Sequence, residues 1–346
     1  MEKGRSTTEI KERVVEFFKA VKADQEKKPL RLAEQLGYLM YVRLFIESQK
    51  RGSLQEWFPY AGFPMEWTPG TEEMEDSQRS WQLQYQLQYC SSMVEAGHFM
   101  EQAKLEENPL WMKEITKLID WTAENCDWEQ GMPQIFGEVL EEVLRQMYDW
   151  GTTGLFLMPK NLTDALIQLA DQRKVETVWN PAGRTGTLLA AAHKQHPEWK
   201  LAGCEADKNQ WLIARMIQFY HGGGLEGLLR EDPLEKDRID QAVQKNQAGE
   251  TAPEYPKYDL ILTNLPVGEL SVEEQDRYWI STRKTQLQYL QMMMNHIEAD
   301  GMAVAVVNEG TLFMYDAEQK VRQYLLDDFR VQGVISLPAG AFLPYT

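Results

Sequence analysis

The sequence predicts a doubly wound α/β domain preceded by an α-helical region. Three features carry that expectation. Val175–Leu189, VETVWNPAGRTGTLL, reads as a buried strand of β-branched and aromatic residues, then a glycine turn, then an Ala/Leu-rich helix. Downstream, short apolar runs alternate with segments of helical periodicity, as consecutive strand–helix units of a parallel sheet do. Upstream, residues 1–150 show apolar stripes at helical spacing.

Composition sets the limits. The chain has 346 residues, 43% hydrophobic and 26% charged, which suits a soluble globular protein with room for two domains. No apolar run reaches membrane-spanning length, and Met1–Ile10 lacks a signal-peptide core. Cys90, Cys126 and Cys204 have no metal-ligand spacing and are too few for a disulfide framework, so a reducing cytoplasm is expected. The net charge is −17; residues 1–150 hold 27 acids against 17 bases and the remainder 26 against 19. Neither half is a basic module that grips nucleic acid unaided, so a nucleic-acid substrate would need phosphate contacts from another subunit.

In chain order, Ile10, Val14, Phe17, Phe18 and Val21 share one helical face, and Leu32, Leu36, Leu39, Met40, Leu44 and Phe45 share another. Pro59, Pro64, Pro69 and Gly70 mark a loop holding Trp57 and Trp67, and Trp81–Phe99 is a Gln- and Tyr-rich helix. An aromatic stripe at helical spacing is read as core ahead of a base-stacking surface. Phe136, Val139, Leu140, Val143, Leu144 and Met147 give the cleanest amphipathic helix. The domain boundary is expected at Trp150–Gly154, dividing an α-helical domain, 1–150, from an α/β domain, 151–346.

A helix with Leu162, Ala165, Leu166 and Leu169 inward leads into the first strand. Strand two is Lys200–Glu205, and Ile213, Met216, Ile217 and Tyr220 of the next helix are expected to face the sheet before Gly222–Gly224 stops it. Strand three is Leu225–Leu229 and strand four Tyr258–Thr263, with Glu235–Pro256 a polar excursion between them. A helix burying Leu287, Leu290, Met294 and Ile297 follows, its Met292–Met294 run read as adaptable packing. Strands five and six are expected at Met302–Val307 and Val331–Leu337.

Ligands of such sheets bind beyond the carboxyl ends of the strands. Four successive strands here end in residues suited to one nucleoside-like ligand: the glycine turn, Glu205 to accept from ribose hydroxyls, Asp232 to accept from an exocyclic amine, and Asn264 beside Pro266. Each acid taken singly could equally be a solvated strand end; four in register form a candidate site.

From about Phe136 to Thr346 the chain resembles the modification subunits of type I restriction–modification systems, which are adenine-N6 DNA methyltransferases. Phe136–Leu144 and Leu157-Met-Pro159 match the family's Gly-Glu-Leu/Ala helix and Tyr-Thr-Pro-like turn. Asn180-Pro-Ala-Gly-Arg-Thr-Gly186 matches Asp-Pro-Ala-Cys-Gly-Thr-Gly, Asn264-Leu-Pro-Val267 matches the catalytic Asn-Pro-Pro-Phe, and Val334–Phe342 matches the family's ending. The resemblance implies a class I S-adenosylmethionine-dependent methyltransferase sheet with S-adenosylmethionine over the turn, touching Asn180, Ala182, Gly183, Thr185 and Gly186. It implies that Met158 and Pro159 flank the methionine end, that Glu205 holds the ribose and that Asp232 holds the adenine amine. The target adenine would be flipped out of double-stranded DNA, with the Asn264 side-chain carbonyl and the Leu265 backbone carbonyl accepting hydrogens from N6. A separate specificity subunit, and a restriction subunit, are the implied partners.

This sequence departs from the family pattern. Asn180 stands for the first acid, Gly183 for Cys and Arg184 for a glycine; Leu265 replaces a stiffening proline and Val267 the aromatic that stacks on the flipped base. The chain also stops at Thr346, where the family continues into a last antiparallel strand, so that strand is expected to be lacking. Two readings stay open: a methyltransferase subunit with weakened catalysis, and a non-catalytic scaffold on the same fold. A glutamine-amide methyltransferase, which also uses an Asn-x-Pro loop, is disfavoured by the helical first part and by Val334–Phe342.

Overall fold

The computed structural model describes residues 7–21, 29–51, 65–67, 75–93, 100, 103–106, 108–128, 134–149, 157–170, 174–223, 227–235, 237 and 255–342. The Trp150–Gly154 boundary, Trp57 with the prolines of its loop, the start of the expected strand three and most of Glu235–Pro256 lie outside them.

Among the described residues, five helices come first: α1 (Thr7–Val21), α2 (Pro29–Ser48), α3 (Asp76–Met93), α4 (Pro109–Glu124) and α5 (Ile135–Asp149). Their apolar stripes meet in one core, and every inward residue expected for α1, α2 and α5 is buried there. The α3 aromatics behave otherwise. Leu83, Leu87 and Cys90 turn inward, while Trp81 and Tyr85 are exposed and stack on each other with centroids 5.8 Å apart. The core reading of that stripe is therefore corrected: one face cannot bury both sets, and the aliphatic set occupies it.

The second part runs α6 (Lys160–Ala170), β1 (Thr177–Asn180), α7 (Thr187–Gln195), β2 (Lys200–Cys204), α8 (Lys208–Tyr220), β3 (Leu228–Leu229), β4 (Tyr258–Asn264), α9 (Thr285–His296), β5 (Ile297–Val306), α10 (Gly310–Phe313) and α11 (Ala317–Asp328). The strands form one parallel sheet in the order β3-β2-β1-β4-β5. The order reverses beside β1, which creates a crevice at the carboxyl ends of β1 and β4. β1 and β4 are buried on both faces, hence their unbroken apolar runs.

Three expectations are corrected. In α6 the buried positions are Thr163, Leu166, Ile167 and Ala170, so the stripe lies one residue off; Ala165 and Leu169 are exposed. In α8, Ile213, Met216, Ile217 and Tyr220 are buried, but against the helical core rather than the sheet, which Ala214 faces through Leu189 and Leu228. The α2–α8 approach is close: the Tyr220 hydroxyl donates to Gly37 O at 2.5 Å, and a Cβ on Gly37 would collide with the Met216 thioether. Across the α5–α8 junction, His221 Nε2 lies 3.1 Å from Glu141 Oε1 and Lys194 Nζ 3.4 Å from Glu141 Oε2. Third, Val331–Leu337 is not a strand; it has no ladder partner among the described residues, and Val334 and Ile335 are 61% and 66% exposed. Without a neighbour to take its N–H and C=O groups, a β-rich sequence gains nothing from pleating. The chain beyond returns to the helices, where the Tyr148 hydroxyl donates to Phe342 O at 2.8 Å.

β1 and β4 are pinned at their starts by one carboxylate. Asp259 Oδ2 accepts from Glu176 N at 3.0 Å, Thr177 N at 2.8 Å and Thr177 Oγ1 at 2.9 Å. The Thr177 hydrogen bonds hold its carboxyl below the usual range, against a smaller opposing push from burial. A depressed folded-state value means the contribution is present above the unfolded-state titration and is lost as pH falls through the folded one. Asp259→Ala should lower unfolding free energy at neutral pH by about 1 kcal/mol. Denaturant titration should show the gap from wild type closing below the ordinary aspartate range; a gap that persists there would refute the carboxylate's role.

Candidate active site

The turn after β1 is built by backbone constraints. Asn180 is buried, and its Oδ1 accepts the Ala182 N–H at 3.1 Å, closing the strand end. Gly183 N donates to Cys204 O at 2.7 Å, and a Cβ on Gly183 would lie 2.9 Å from that oxygen. Gly186 has φ 77°, and a Cβ there would lie 2.8 Å from the Ala214 Cβ of α8. Between them Arg184 takes a left-handed φ of 48° and Thr185 is buried.

Glu205, just past β2, locks this turn. Its Oε2 accepts the Arg184 N–H and its Oε1 the Asp207 N–H, both at 2.8 Å. Asp207 in turn caps α8, accepting the Gln210 N–H at 2.8 Å. Burial raises the Glu205 carboxyl above its ordinary range, against the lowering effect of the two backbone donors and of Arg184. Asp232, past β3, is exposed and accepts the Leu234 N–H at 2.9 Å.

Tyr289 of α9 closes the same space. Its side chain packs in one cluster with Ala182, Cys204, Leu234 and Leu265, so the glycine turn, the end of β2 and the loop after β4 meet around it. Its hydroxyl interacts electrostatically with Asp232, Glu205 and Arg184, and burial pushes its titration well above the ordinary value. Burial likewise lowers the Arg184 guanidinium, opposed by Glu205 and Tyr289.

β4 delivers Asn264, whose Nδ2 is buried without a hydrogen-bond partner. Leu265 is 1% exposed, and its N–H donates to Val306 O at 3.2 Å, extending the β4–β5 pairing. A proline could not make that bond, which accounts physically for leucine here. The Leu265 carbonyl accepts from Gln286 Nε2 at 3.2 Å, and Gln286 Oε1 accepts the Asn308 N–H at 3.1 Å. One buried glutamine thus ties the Asn264–Val267 loop to the segment after β5. Pro266 is half-buried and Val267 is 73% exposed.

Met158 packs on the cluster beneath α6, and the Pro159 carbonyl accepts the Leu162 and Thr163 N–H groups that open that helix. The structure therefore gathers Asn180–Gly186, Glu205 and Asn264–Val267 around the crevice, with Asp232 exposed past β3. Tyr289 and Gln286 went unseen in the sequence. Their signal is the Gln286, Gln288 and Gln291 set on an otherwise apolar helix, each buried and bound to loop backbone. Cys90 and Cys204 are buried free thiols, and Cys126 is a half-buried one. Among the described residues no metal-ligand cluster occurs, and no helix is long and apolar enough to cross a membrane.

Residues 131–346 match the family described as N-6 DNA Methylase. The chain belongs to the N-6 DNA methylase family. It is 25% identical over 229 residues to the type I restriction enzyme EcoEI methylase subunit of Escherichia coli, covering 61% of this chain and 44% of that one. It is 23% identical over 246 residues to the StySPI methylase subunit of Salmonella potsdam, covering 66% and 46%. The chain thus spans about half the length of these relatives. The type I restriction-modification system methyltransferase subunit from Streptococcus thermophilus superposes with a TM-score of 0.63 at 15% identity, over 93% of this chain and 79% of that one. The fold is that of the class I S-adenosylmethionine-dependent methyltransferases, as the sequence resemblance implied.

The Asn264–Val267 loop is held here by Gln286, which leads to a stability prediction. Gln286→Leu removes both partners of a buried clamp and should lower unfolding free energy by about 1–3 kcal/mol. Gln286→Glu keeps the acceptor for Asn308 N–H but sets a buried carboxylate against the Leu265 carbonyl, so it should lose at least as much. Equal stability of Gln286→Leu and wild type in denaturant titration would show that the clamp holds nothing.

Proposed function

We propose that this chain is the DNA adenine-N6 methyltransferase subunit of a type I restriction–modification system, taking its methyl group from S-adenosylmethionine. The observation that carries the reading is Asn264: a buried amide nitrogen without a partner, at the end of the strand beside the glycine turn. Buried polar groups are rarely left unpaired, so such a donor points to a ligand. Adenine offers an N6 donor beside a ring-nitrogen acceptor, and the two ends of an Asn amide match that pair. Membership of the N-6 DNA methylase family supports the same substrate.

The residues present fit the cofactor's nucleoside end. Glu205 keeps unused lone pairs for ribose hydroxyls after taking two backbone N–H groups, and Asp232, exposed past the neighbouring strand β3, would accept from the adenine amine. Met158 and Pro159 would flank the methionine end. S-adenosylmethionine supplies an electrophilic methyl group when bound. The chain's own part is positioning: Asn264 accepts from N6 of an adenine flipped out of the duplex, aiming its lone pair, and no base need remove a proton before attack. The Leu265 carbonyl, already accepting from Gln286, has one lone pair left for the second N6 hydrogen. Val267 gives the base no aromatic platform, a contact worth roughly 1–3 kcal/mol per base, so turnover is weakened.

Because both parts of the chain are acidic, double-stranded DNA is gripped through a separate specificity subunit, with a restriction subunit as a further partner, and the assembly works in the cytoplasm. Calorimetry should show S-adenosylmethionine binding that Glu205→Ala weakens at least tenfold, about 1.4 kcal/mol. Asp232→Ala, which gives up only the Leu234 N–H, should weaken it too with the fold intact; equal binding by both variants would mean the site is misplaced. The isolated chain should bind duplex DNA weakly and lose it as salt rises. Tight, sequence-specific binding at physiological salt would overturn the separate-subunit assignment.

A further inference from the structure

The segments that follow β4 and β5 face each other across a groove of about 830 Å³. One wall carries Trp279, from the stretch before α9; the other carries Tyr315 and, on α11, Tyr324. The Trp279 and Tyr324 rings meet with centroids 4.7 Å apart, and Tyr315 is 78% exposed. Both walls are braced from within. Gln291 accepts the Ile280 N–H at 2.8 Å and donates to the Ile280 carbonyl at 3.1 Å, which fixes the backbone next to Trp279. Arg322 donates to Thr311 O and Met314 O, both at 2.8 Å, which fixes the backbone leading to Tyr315. Aromatic surface held open to water on a braced backbone is preorganised for a ligand, because little ordering is left to be lost on binding.

Charge selects the kind of ligand. Asp316 and Asp327 line the groove, and Gln323 Nε2 reaches the two Asp327 oxygens at 2.9 and 3.0 Å, a neutral donor that leaves the negative charge in place. Lys320 opposes them, as a cation on a flexible stem. The whole chain carries −17, so its long-range field also draws basic partners. A phosphate here would meet two carboxylates. A guanidinium instead lays its plane on an aromatic face and turns its donors to a carboxylate. Elsewhere in the chain the same groups hold an arginine. Arg51 lies 4.7 Å over the Trp128 ring with Nε 3.0 Å from Glu47, and Arg43 lies 5.5 Å over Trp67 with Nη1 3.5 Å from Asp120. We infer that this groove docks an arginine-bearing basic segment of a partner protein, with a guanidinium on Trp279 and its charge met by Asp316 and Asp327. The inference stands apart from the cofactor and substrate assignments.

The test is calorimetry of the full chain at physiological salt with three probes: hexa-arginine, hexalysine and an oligothymidylate. Hexa-arginine should bind about tenfold more tightly than hexalysine, which can neither stack flat nor fork. Trp279→Ala, and separately Asp316→Asn with Asp327→Asn, should each weaken hexa-arginine by about tenfold. Glu273→Gln, an exposed acid outside the groove, should leave it unchanged. Lys320→Gln should strengthen it, because a competing cation is gone. Equal binding of both peptides, insensitive to Trp279→Ala, would be attraction to net charge alone and overturns the inference. So does weakening by Lys320→Gln, or oligothymidylate binding that Trp279→Ala abolishes, either of which makes the groove a nucleic-acid site. Absence of hexa-arginine binding by wild type overturns it as well.

Discussion

The carboxylate of Glu205 holds two otherwise independent pieces of backbone. One oxygen takes the Arg184 N–H from the turn after β1, the other the Asp207 N–H at the entry to α8. Everything at the crevice depends on that clasp. The turn can lie flat against β2 because Gly183 has no Cβ to meet Cys204 O, and α8 can follow closely because Gly186 has none to meet Ala214. The carboxylate is half-buried here, which raises its titration, and two backbone donors plus a guanidinium compensate for the lost water. The same arrangement leaves its remaining lone pairs at the mouth of the site.

The helical region is not an appendage to this sheet. α8 turns its main apolar face toward α2 and α5 and meets the sheet through Ala214 and Trp211, whose Nε1 donates to Leu228 O at 3.1 Å, while Glu141 of α5 meets His221 and Lys194 across the junction. The helix that Asp207 caps is thus packed against the helical region as well as tied to the turn through Glu205. The exposed Trp81–Tyr85 stack lies on that region, and the exposed Val267 lies on the loop after β4.

Much of this was legible in the sequence, and the reasons are local. Strand cores announce themselves by apolar runs, and a polar residue at the end of each run marks the crevice, so the turn, Glu205, Asp232 and Asn264 follow in order from the sequence. What was missed has one physical origin: periodicity reports that a face is buried, not what it is buried against. The α8 stripe is real but faces the helices. The α6 stripe admits two registers because Leu162 and Leu169 compete with Thr163 and Ile167. Gln286 and Tyr289 were passed over because glutamine on a helix reads as a solvent residue until its backbone partners are seen. Val331–Leu337 has the composition of a strand, but pairing is a property of a neighbour and not of the segment itself.

The role proposed for Asn264 is to present adenine N6 to a methyl donor held over the Glu205-clasped turn. The direct measurement is mass spectrometry of nucleosides from duplex DNA incubated with S-adenosylmethionine, the specificity subunit and either wild type or Asn264→Ala. The account predicts N6-methyladenine with wild type and its loss, with cofactor affinity retained, in Asn264→Ala. N6-methyladenine formed equally by Asn264→Ala, or a methyl group found on another atom, would contradict it.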